Sequence, residues 1–300
     1  MRKVYSIIVL YKPDDSVMKN IMSILEQSSV VILIDNTEQW SKDHAQLAEV
    51  VKNGRVVMIE NRENLGIASA LNKGVGLAIS MGSRWVATFD QDSSLPLCYF
   101  EDLFDAYDLY PERDEVRIIS PIYKDKSTKK IISAGTNSTF VKSLNKFPYQ
   151  EIKTTITSGN LIDVRLFNEI GGFQDDLFID LVDHDFCLRC INSGHKILEA
   201  SKAVLDHQLG LPSSHFLLTK KISVTNHSSL RRYYMARNRV YMYKKFTLTN
   251  VDWVLKDFSL FFFREIPSIL LFEKEKSRKI QSILKGFRHG IQNKYGRYIE

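Results

Sequence analysis

Two carboxylates one residue apart, Asp90 and Asp92, close the stretch Arg84-Trp-Val-Ala-Thr-Phe-Asp-Gln-Asp-Ser-Ser94. The β-branched and aromatic residues ahead of them read as a buried strand, so the acid pair falls where that strand ends. Aspartates this close repel one another, and a divalent cation relieves the repulsion. Hard oxygen ligands on a turn suit Mg2+ or Mn2+, which are commonly held by one or two carboxylates together with the phosphates of a substrate. The dipeptide spacing by itself favours a plain turn with two solvated aspartates; the context of the strands reverses that reading.

A second acidic group lies downstream, where Asp180, Asp183 and Asp185 crowd the start of a helical pattern over residues 178–194. Asp180 suits the N-cap, Asp183 a first-turn anion, and Asp185 an i,i+4 pair with Arg189. Three carboxylates in one turn repel, and Asp183 and Asp185 project about 200° apart around a helix, so one of them at most faces a given ligand. An ionised carboxylate within hydrogen-bond reach of a hydroxyl is a general base. His207 sits directly past a strand-like run at 203–205; a neutral imidazole there either completes an oxygen-rich metal shell, contacts phosphate, or serves the structure.

These groups must be positioned by the elements around them. Apolar runs at 4–11, 30–34, 55–60 and 84–89 read as strands, with helical patterns between them, including Met18, Ile21, Met22 and Leu25 at spacings of three and four, and a helix capped by Asn64. The order is βαβαβαβ. It predicts a doubly wound, mainly parallel α/β sheet with helices on both faces, in which ligands bind beyond the carboxyl ends of the strands. Asp35, Asn61, Asn64, Asp90 and Asp92 all lie at such ends. No GxGxxG follows the first strand, which favours a nucleotide diphosphate over a dinucleotide. Further on, the pattern predicts a helix over 100–107, a strand over 116–122, β-like pieces at 131–133, 139–141 and 154–162, and a short helix over 163–170 closed by Gly171-Gly172.

Charge is divided unevenly. Residues 1–219 carry 23 Lys and Arg against 29 Asp and Glu, whereas residues 220–300 carry 18 against 6. This predicts two regions, 1–219, which holds both acidic sets, and 220–300, a basic, aromatic-rich helical appendage that meets an anionic surface or ligand, or presents a solvated face. The apolar run at 251–272 is interrupted by Lys256, Asp257, Arg264, Glu265 and Pro267. It therefore lacks the ~20 uncharged residues a bilayer span needs; lying at a membrane interface, packing on the catalytic domain and packing in a dimer all remain open. Cys98, Cys187 and Cys190 form no disulfide framework, which predicts a reducing, cytoplasmic setting with the Cys187/Cys190 pair in the core. No nucleic-acid motif or basic-aromatic platform is present, and nucleic acid is not an expected partner.

Taken together, Ser6-Ile-Ile-Val-Leu-Tyr-Lys-Pro13, Ile32-Leu-Ile-Asp-Asn36, Asn64-Leu-Gly-Ile-Ala-Ser-Ala-Leu-Asn-Lys-Gly74, Phe89-Asp-Gln-Asp-Ser93, Ser158-Gly-Asn-Leu161, the 178–189 segment, Asp206-His-Gln-Leu-Gly210 and Tyr233-Tyr-Met-Ala-Arg-Asn238 resemble family 2 glycosyltransferases of the GT-A fold, most specifically their rhamnosyltransferase-like branch. The resemblance implies an inverting, metal-dependent transfer of a sugar, L-rhamnose from dTDP-rhamnose by branch, to a hydroxyl of a glycan or undecaprenyl-linked saccharide. The setting it implies is bacterial surface polysaccharide assembly such as that of O-antigen. Another nucleotide hexose such as a UDP-sugar stays open as donor, as do the oligomeric state and a peripheral contact with the inner face of the cell membrane. It further implies that Asp35 contacts the nucleobase and that Tyr11, Asn64, Gly66 and Asn72 support the nucleotide. Asp90 then meets ribose or assists the ion, Asp92 binds Mn2+ or Mg2+ as the second acid of a DxD motif, His207 is a further metal or diphosphate ligand, and Arg237 with Asn238 holds a phosphate. The family's base is the aspartate of a Glu-Asp pair, which places that role on Asp183, although Val182 stands where the glutamate is usual. A rival reading takes strand plus Asp-Gln-Asp-Ser as the nucleophile loop of a haloacid-dehalogenase-type phosphatase, with Ser120 as a phosphate contact; that family generally places the loop on its first strand.

Overall fold

Strand β1 (Val4–Leu10) is apolar on both faces because it runs inside a parallel sheet, with β2 (Val30–Asp35) on one side and β4 (Trp85–Asp90) on the other. β3 (Val56–Glu60) adds beyond β2, and the crossovers are made by α1 (Val17–Gln27), α2 (Ala45–Val51) and α3 (Ile67–Ser80). The expected βαβαβαβ alternation is therefore present, in the order β3-β2-β1-β4. The stripe of α1 differs slightly from its sequence reading: Val17, Ile21, Ile24 and Leu25 face the sheet, and Met22 turns outward. The computed structural model describes residues 2–38, 45–125, 129–135, 147–207, 213–217, 220–224 and 226–298. The expected piece at 139–141 lies outside them.

After β4 and α4 (Tyr99–Leu109) the sheet becomes mixed. β8 (Leu161–Asp163) runs antiparallel between β4 and β5 (Val116–Asp125), β9 (Lys196–His207) is parallel to β5, and β7 (Tyr149–Glu151) closes that edge antiparallel to β9. A short β6 (Ile131–Ile132) pairs with β5, and α5 (Arg165–Ile170) follows β8. Residues 154–160 are not strand, contrary to the β-like pattern, because their side chains and carbonyls are spent on the tip of β4, as described below. Trp85 packs edge-on to Phe104 and Tyr107 of α4, with ring centroids 5.4 and 5.3 Å away, which seals that side of the core. Cys187 and Cys190 are buried, as expected.

The chain forms two units by its internal contacts, residues 1–174 with 186–208 and residues 175–185 with 209–300. This differs from a cut at residue 219 chiefly by placing the acidic stretch 175–185 with the C-terminal helices, whose side chains hold its backbone. The first turn of α6 (Val182–Asn192) belongs to that unit. The rest of the unit comprises a hairpin, β10 (Ser213–Leu217) with β11 (Lys220–Val224), then α7 (Ser229–Phe246), α8 (Val251–Leu260), a π-helical turn at Phe261–Glu265, α9 (Ile266–Phe272) and α10 (Lys276–Ile291). Helix α10 lies directly on α7 at Gly286 and Gly290: a Cβ there would stand 2.4 Å from the Tyr233 carbonyl oxygen and 2.8 Å from that of Arg237. Among the described residues no helix is long and apolar enough to cross a membrane.

The acids and bases of these helices meet inside. Glu273 receives Arg232 and, at 2.7 Å, the Lys279 Nζ; Glu265 takes Arg232 and Arg239, and Asp257 takes Arg239 at 3.0 Å. Arg232, Glu273 and Lys279 are all buried, so removing one partner leaves uncompensated charge in a low-dielectric interior. Glu273→Ala is expected to cost about 3–5 kcal/mol of stability, read as a lower urea midpoint with an unchanged slope.

Candidate active site

The register of the parallel strands collects the first acidic set. Asp35 at the tip of β2 lies beside Leu10, and Asp90 at the tip of β4 lies beside Val9, so the two acids flank the end of β1, about 10 Å apart at two strand spacings. Asp35 is buried and accepts the Thr37 N–H at 2.9 Å. The N–H of Tyr11 donates to Gln91 Oε1 at 2.8 Å, which ties the end of β1 to the turn between Asp90 and Asp92. Asn20 holds the same turn by donating to the Gln91 carbonyl at 2.9 Å. The Tyr11 ring is exposed, with Lys12 Nζ 5.0 Å from its centroid.

Ser158 fixes the turn from beneath. Its Oγ accepts the Asp90 N–H at 3.1 Å and lies 2.7 Å from Ser93 Oγ, while the Ser93 N–H closes back on the Asp90 carbonyl at 3.1 Å. Gly159 follows with φ +89° and a Cβ position 2.6 Å from Tyr99 Oη, so both backbone and space demand glycine there. Its N–H donates to the Thr88 carbonyl at 2.7 Å, and Thr88 Oγ1 donates to Thr157 at 2.7 Å. Ser158 and Gly159 therefore set the geometry of the acidic turn. Periodicity could not assign that role, and the Ser-Gly pair in a β-like run was the available signal.

Asn64 does not cap α3. It accepts the Gly66 N–H at 3.0 Å in a local turn, and Gly66, at φ +82°, occupies the cap. A chain of amides joins these tips: Lys73 Nζ donates to Asn61, Asn61 to Asn36 at 2.7 Å, and Asn36 to the Gly66 carbonyl at 3.0 Å. Asn72, expected to support the nucleotide, holds the backbone of Phe173. Its amide donates to the Phe173 carbonyl and accepts the Phe173 N–H, both at 2.8 Å, so it anchors the chain after α5. Ser120 is buried and lies 2.6 Å from Thr155 Oγ1, which removes it as a phosphate contact. At the far end of β9 the backbone of Asp206 bridges that of Ser94, two residues beyond Asp92. The side chain of His207 lies outside the described residues.

Asp90 and Asp92 offer hard carboxylate donors on a clamped turn, and among the described residues no cluster of three or more His, Cys, Asp or Glu could hold an ion alone. This donor set fits Mg2+ or Mn2+ whose remaining ligands are substrate phosphate oxygens and water, and it does not fit a structural zinc.

The second acidic set is built by the C-terminal unit. Phe178, Asp180 and Leu181 all have φ between +62° and +64°, a costly conformation for non-glycine residues that persists only where the surroundings over-determine it. Asn238 supplies that determination: its buried Nδ2 donates to the carbonyls of Leu177, Ile179 and Asp180 at 2.8–2.9 Å. Arg237 donates to the carbonyls of Gly296, Asp176 and Leu177 at 2.5–3.0 Å and is itself buried. It therefore braces the acidic loop, where the sequence reading expected a phosphate contact. Desolvation holds its pKa below the usual guanidinium range.

The three aspartates separate by role. Asp180 is not the N-cap; it is gripped by Arg231 through Nε and Nη2 at 2.8–3.2 Å. Asp185 is buried and pairs with Lys245 at 2.8 Å, while Arg189 donates to the carbonyls of Ile170 and Gly172. Asp183 accepts the His184 N–H at 2.8 Å, makes no ion pair among the described residues, and keeps part of its surface accessible despite dense surroundings. Those surroundings raise its pKa above the ordinary aspartate value; the nearby charge of Asp180 adds to the rise, and His184 opposes it. The Trp253 indole N–H donates to His184 Nδ1 at 3.1 Å; as indole is only a donor, this assigns the imidazole proton to Nε2.

The family model described as "Glycosyl transferase family 2" matches residues 7–171. The chain is 28% identical over 253 residues, 81% of its length and 80% of the relative's, to the dTDP-rhamnosyl transferase RfbF of Shigella flexneri. An uncharacterized glycosyltransferase of Methanocaldococcus jannaschii, MJ1057, is 21% identical over 90% of this chain and 93% of its own. Among solved structures, S. aureus TarS 1-349 in complex with UDP-GlcNAc superposes with a TM-score of 0.64 at 14% identity, covering 96% of this chain and 81% of that one. GalNAc-T7 with UDP, GalNAc and Mn2+ gives a TM-score of 0.62 at 14% identity over 97% and 56% of the two chains. These likenesses give the fold as GT-A.

Proposed function

The chain belongs to glycosyl transferase family 2, and from that premise we propose that it moves L-rhamnose from a dTDP-linked donor, with inversion, to a hydroxyl of a glycan or lipid-linked saccharide during bacterial surface polysaccharide assembly in the cytoplasm. The observation that carries the reading is the collection of Asp35, Asp90 and Asp92 at adjoining strand tips of a family 2 sheet. The 28% identity to a dTDP-rhamnosyl transferase supports the choice of sugar. The family match leaves the phosphatase reading without support.

In this reading Asp35 meets the nucleobase, Tyr11 and the backbone of Asn64 and Gly66 flank the nucleoside, and Asp90 meets the ribose. Asp92, with His207, would hold Mn2+ or Mg2+, which when bound supplies positive charge against the diphosphate. Ser158, Gln91 and Asn20 keep the acidic turn from shifting as the donor enters, so little ordering remains to be done on binding. Asp183 takes the proton of the attacking acceptor hydroxyl.

The donor assignment is tested by thermal unfolding with a panel of nucleotide sugars in Mn2+ or Mg2+. A ligand that binds only the folded state at 100 times its dissociation constant adds about 2.7 kcal/mol. dTDP-rhamnose is expected to raise the midpoint by several degrees and UDP-GlcNAc to leave it in place. The reverse result transfers the reading to a UDP-hexose, and no shift with any nucleotide sugar overturns it.

A further inference from the structure

The acids and bases of residues 251–278 sort to opposite sides. Asp257, Glu265 and Glu273 turn inward onto Arg239, Arg232 and Lys279, whereas Lys256, Arg264, Lys274, Lys276 and Arg278 are exposed against only Asp252 and Glu275. The apolar residues divide as well. Trp253, Val254, Phe261 and Ile269 are buried, but Val251, Leu255, Phe258, Phe263, Leu270 and Leu271 stand exposed, Leu255 at 63% and Phe263 at 77%. Val251, Leu255 and Phe258 recur at spacings of four and three, one outward stripe of α8. Scattered exposed leucines are ordinary, but large exposed apolar side chains recurring with exposed cations along one segment mark an interaction surface.

We infer that this face of the C-terminal unit docks peripherally on an anionic lipid bilayer, with the apolar side chains entering the headgroup boundary and the exposed lysines and arginines meeting lipid phosphates. The charge sorting decides for this occupant. A bilayer interface rewards apolar groups and cations together, whereas a second copy of the chain would set the same cations against each other across a symmetric contact. With Asp257, Glu265 and Glu273 paired internally, the segment exposes five bases against two acids, Asp252 and Glu275, a balance that favours lipid phosphate. The inference is independent of the transfer chemistry, and its failure would leave the donor reading standing.

The test is sedimentation of the full chain with vesicles, at 50 mM and 500 mM salt. Vesicles containing phosphatidylglycerol are expected to carry the protein down at low salt, with pure phosphatidylcholine vesicles carrying markedly less and high salt weakening the binding. The double variant Leu255→Ser/Phe263→Ser and the charge variant Lys256→Glu/Arg264→Glu are each expected to lose at least about tenfold in vesicle affinity, with the unfolding midpoint within a few degrees of the parent because the substituted side chains are exposed. Undiminished binding by both variants overturns the inference, as does absence of binding by the parent chain. A parent that fails to bind vesicles and forms a dimer dispersed by Leu255→Ser/Phe263→Ser assigns the face to a second copy instead.

Discussion

Asp183→Asn is expected to lower kcat for sugar transfer by about 10²–10⁴-fold, the usual contribution of a positioned general base, with little change in donor affinity. The amide retains an oxygen able to accept the His184 N–H, so the loop geometry survives while the proton acceptor is lost. The other two carboxylates cannot substitute, since Arg231 grips Asp180 and Lys245 neutralises buried Asp185. The pH dependence follows from the direction of the Asp183 shift. A base must be ionised, and its raised pKa moves the acid limb of the rate profile above the ordinary aspartate range, so activity falls as pH drops through that raised value. Stability runs the opposite way. Between the unfolded and folded pKa values the native state binds more protons than the unfolded one, so this group's contribution declines as pH rises across that window and stays low above it. Asp183→Asn removes the cost of an ionised carboxylate in dense surroundings, and it should unfold at a slightly higher temperature than the parent at neutral pH. Stopped transfer together with raised stability distinguishes a lost base from a damaged fold. Full transfer activity in the variant would remove Asp183 from the chemistry.

The part of this site that a sequence can show is local. Four apolar runs alternating with helical stripes are enough to place Asp35, Asp90 and Asp92 at strand ends on one edge, because a parallel sheet aligns its carboxyl ends whatever the loops do. What stayed hidden depends on contacts between distant residues. Asp180 reads as an N-cap until Arg231, 51 residues later, is seen to hold it. The left-handed backbone of Phe178, Asp180 and Leu181 has no signature in the residues concerned; Asn238 holds it in place by gathering the carbonyls of Leu177, Ile179 and Asp180. Arg237 and Asn72 were legible as polar residues within family-like segments, but their donors are committed to backbone carbonyls of Leu177 and Phe173 respectively. Inside two of the segments that carry the resemblance, Asn72 and Arg237 brace backbone of the same unit. The assignment of residues 175–185 to the C-terminal unit follows from the same contacts, and it makes the helices α7 and α8 the support of the proposed base.

Asp92→Ala is expected to weaken nucleotide-sugar binding by about 100-fold in the presence of Mn2+ or Mg2+, and to bring the affinity close to that measured with chelator. Loss of groups that merely orient a metal ligand commonly costs 10–100-fold, and removal of a direct carboxylate stands at the upper end. The turn itself should survive. Asp90 and Ser93 are held through backbone and hydroxyl groups by Ser158, and Gln91 through its side chain by Tyr11 and its carbonyl by Asn20; none of those bonds uses the Asp92 carboxylate. The measurement is a calorimetric titration of dTDP-rhamnose into parent and variant, each with metal and with chelator, and the informative quantity is the ratio of the two affinities within each protein. A parent ratio far above one that collapses toward one in Asp92→Ala places the cation on this residue. Should the parent bind equally well with chelator, the turn holds the donor without an ion and the role of Asp92 passes to direct contact with the substrate. Should Asp92→Ala keep the full metal effect, the ion is held elsewhere, and since Asp90 ends the same strand, Asp90→Ala then separates a shifted ligand from a misassigned turn.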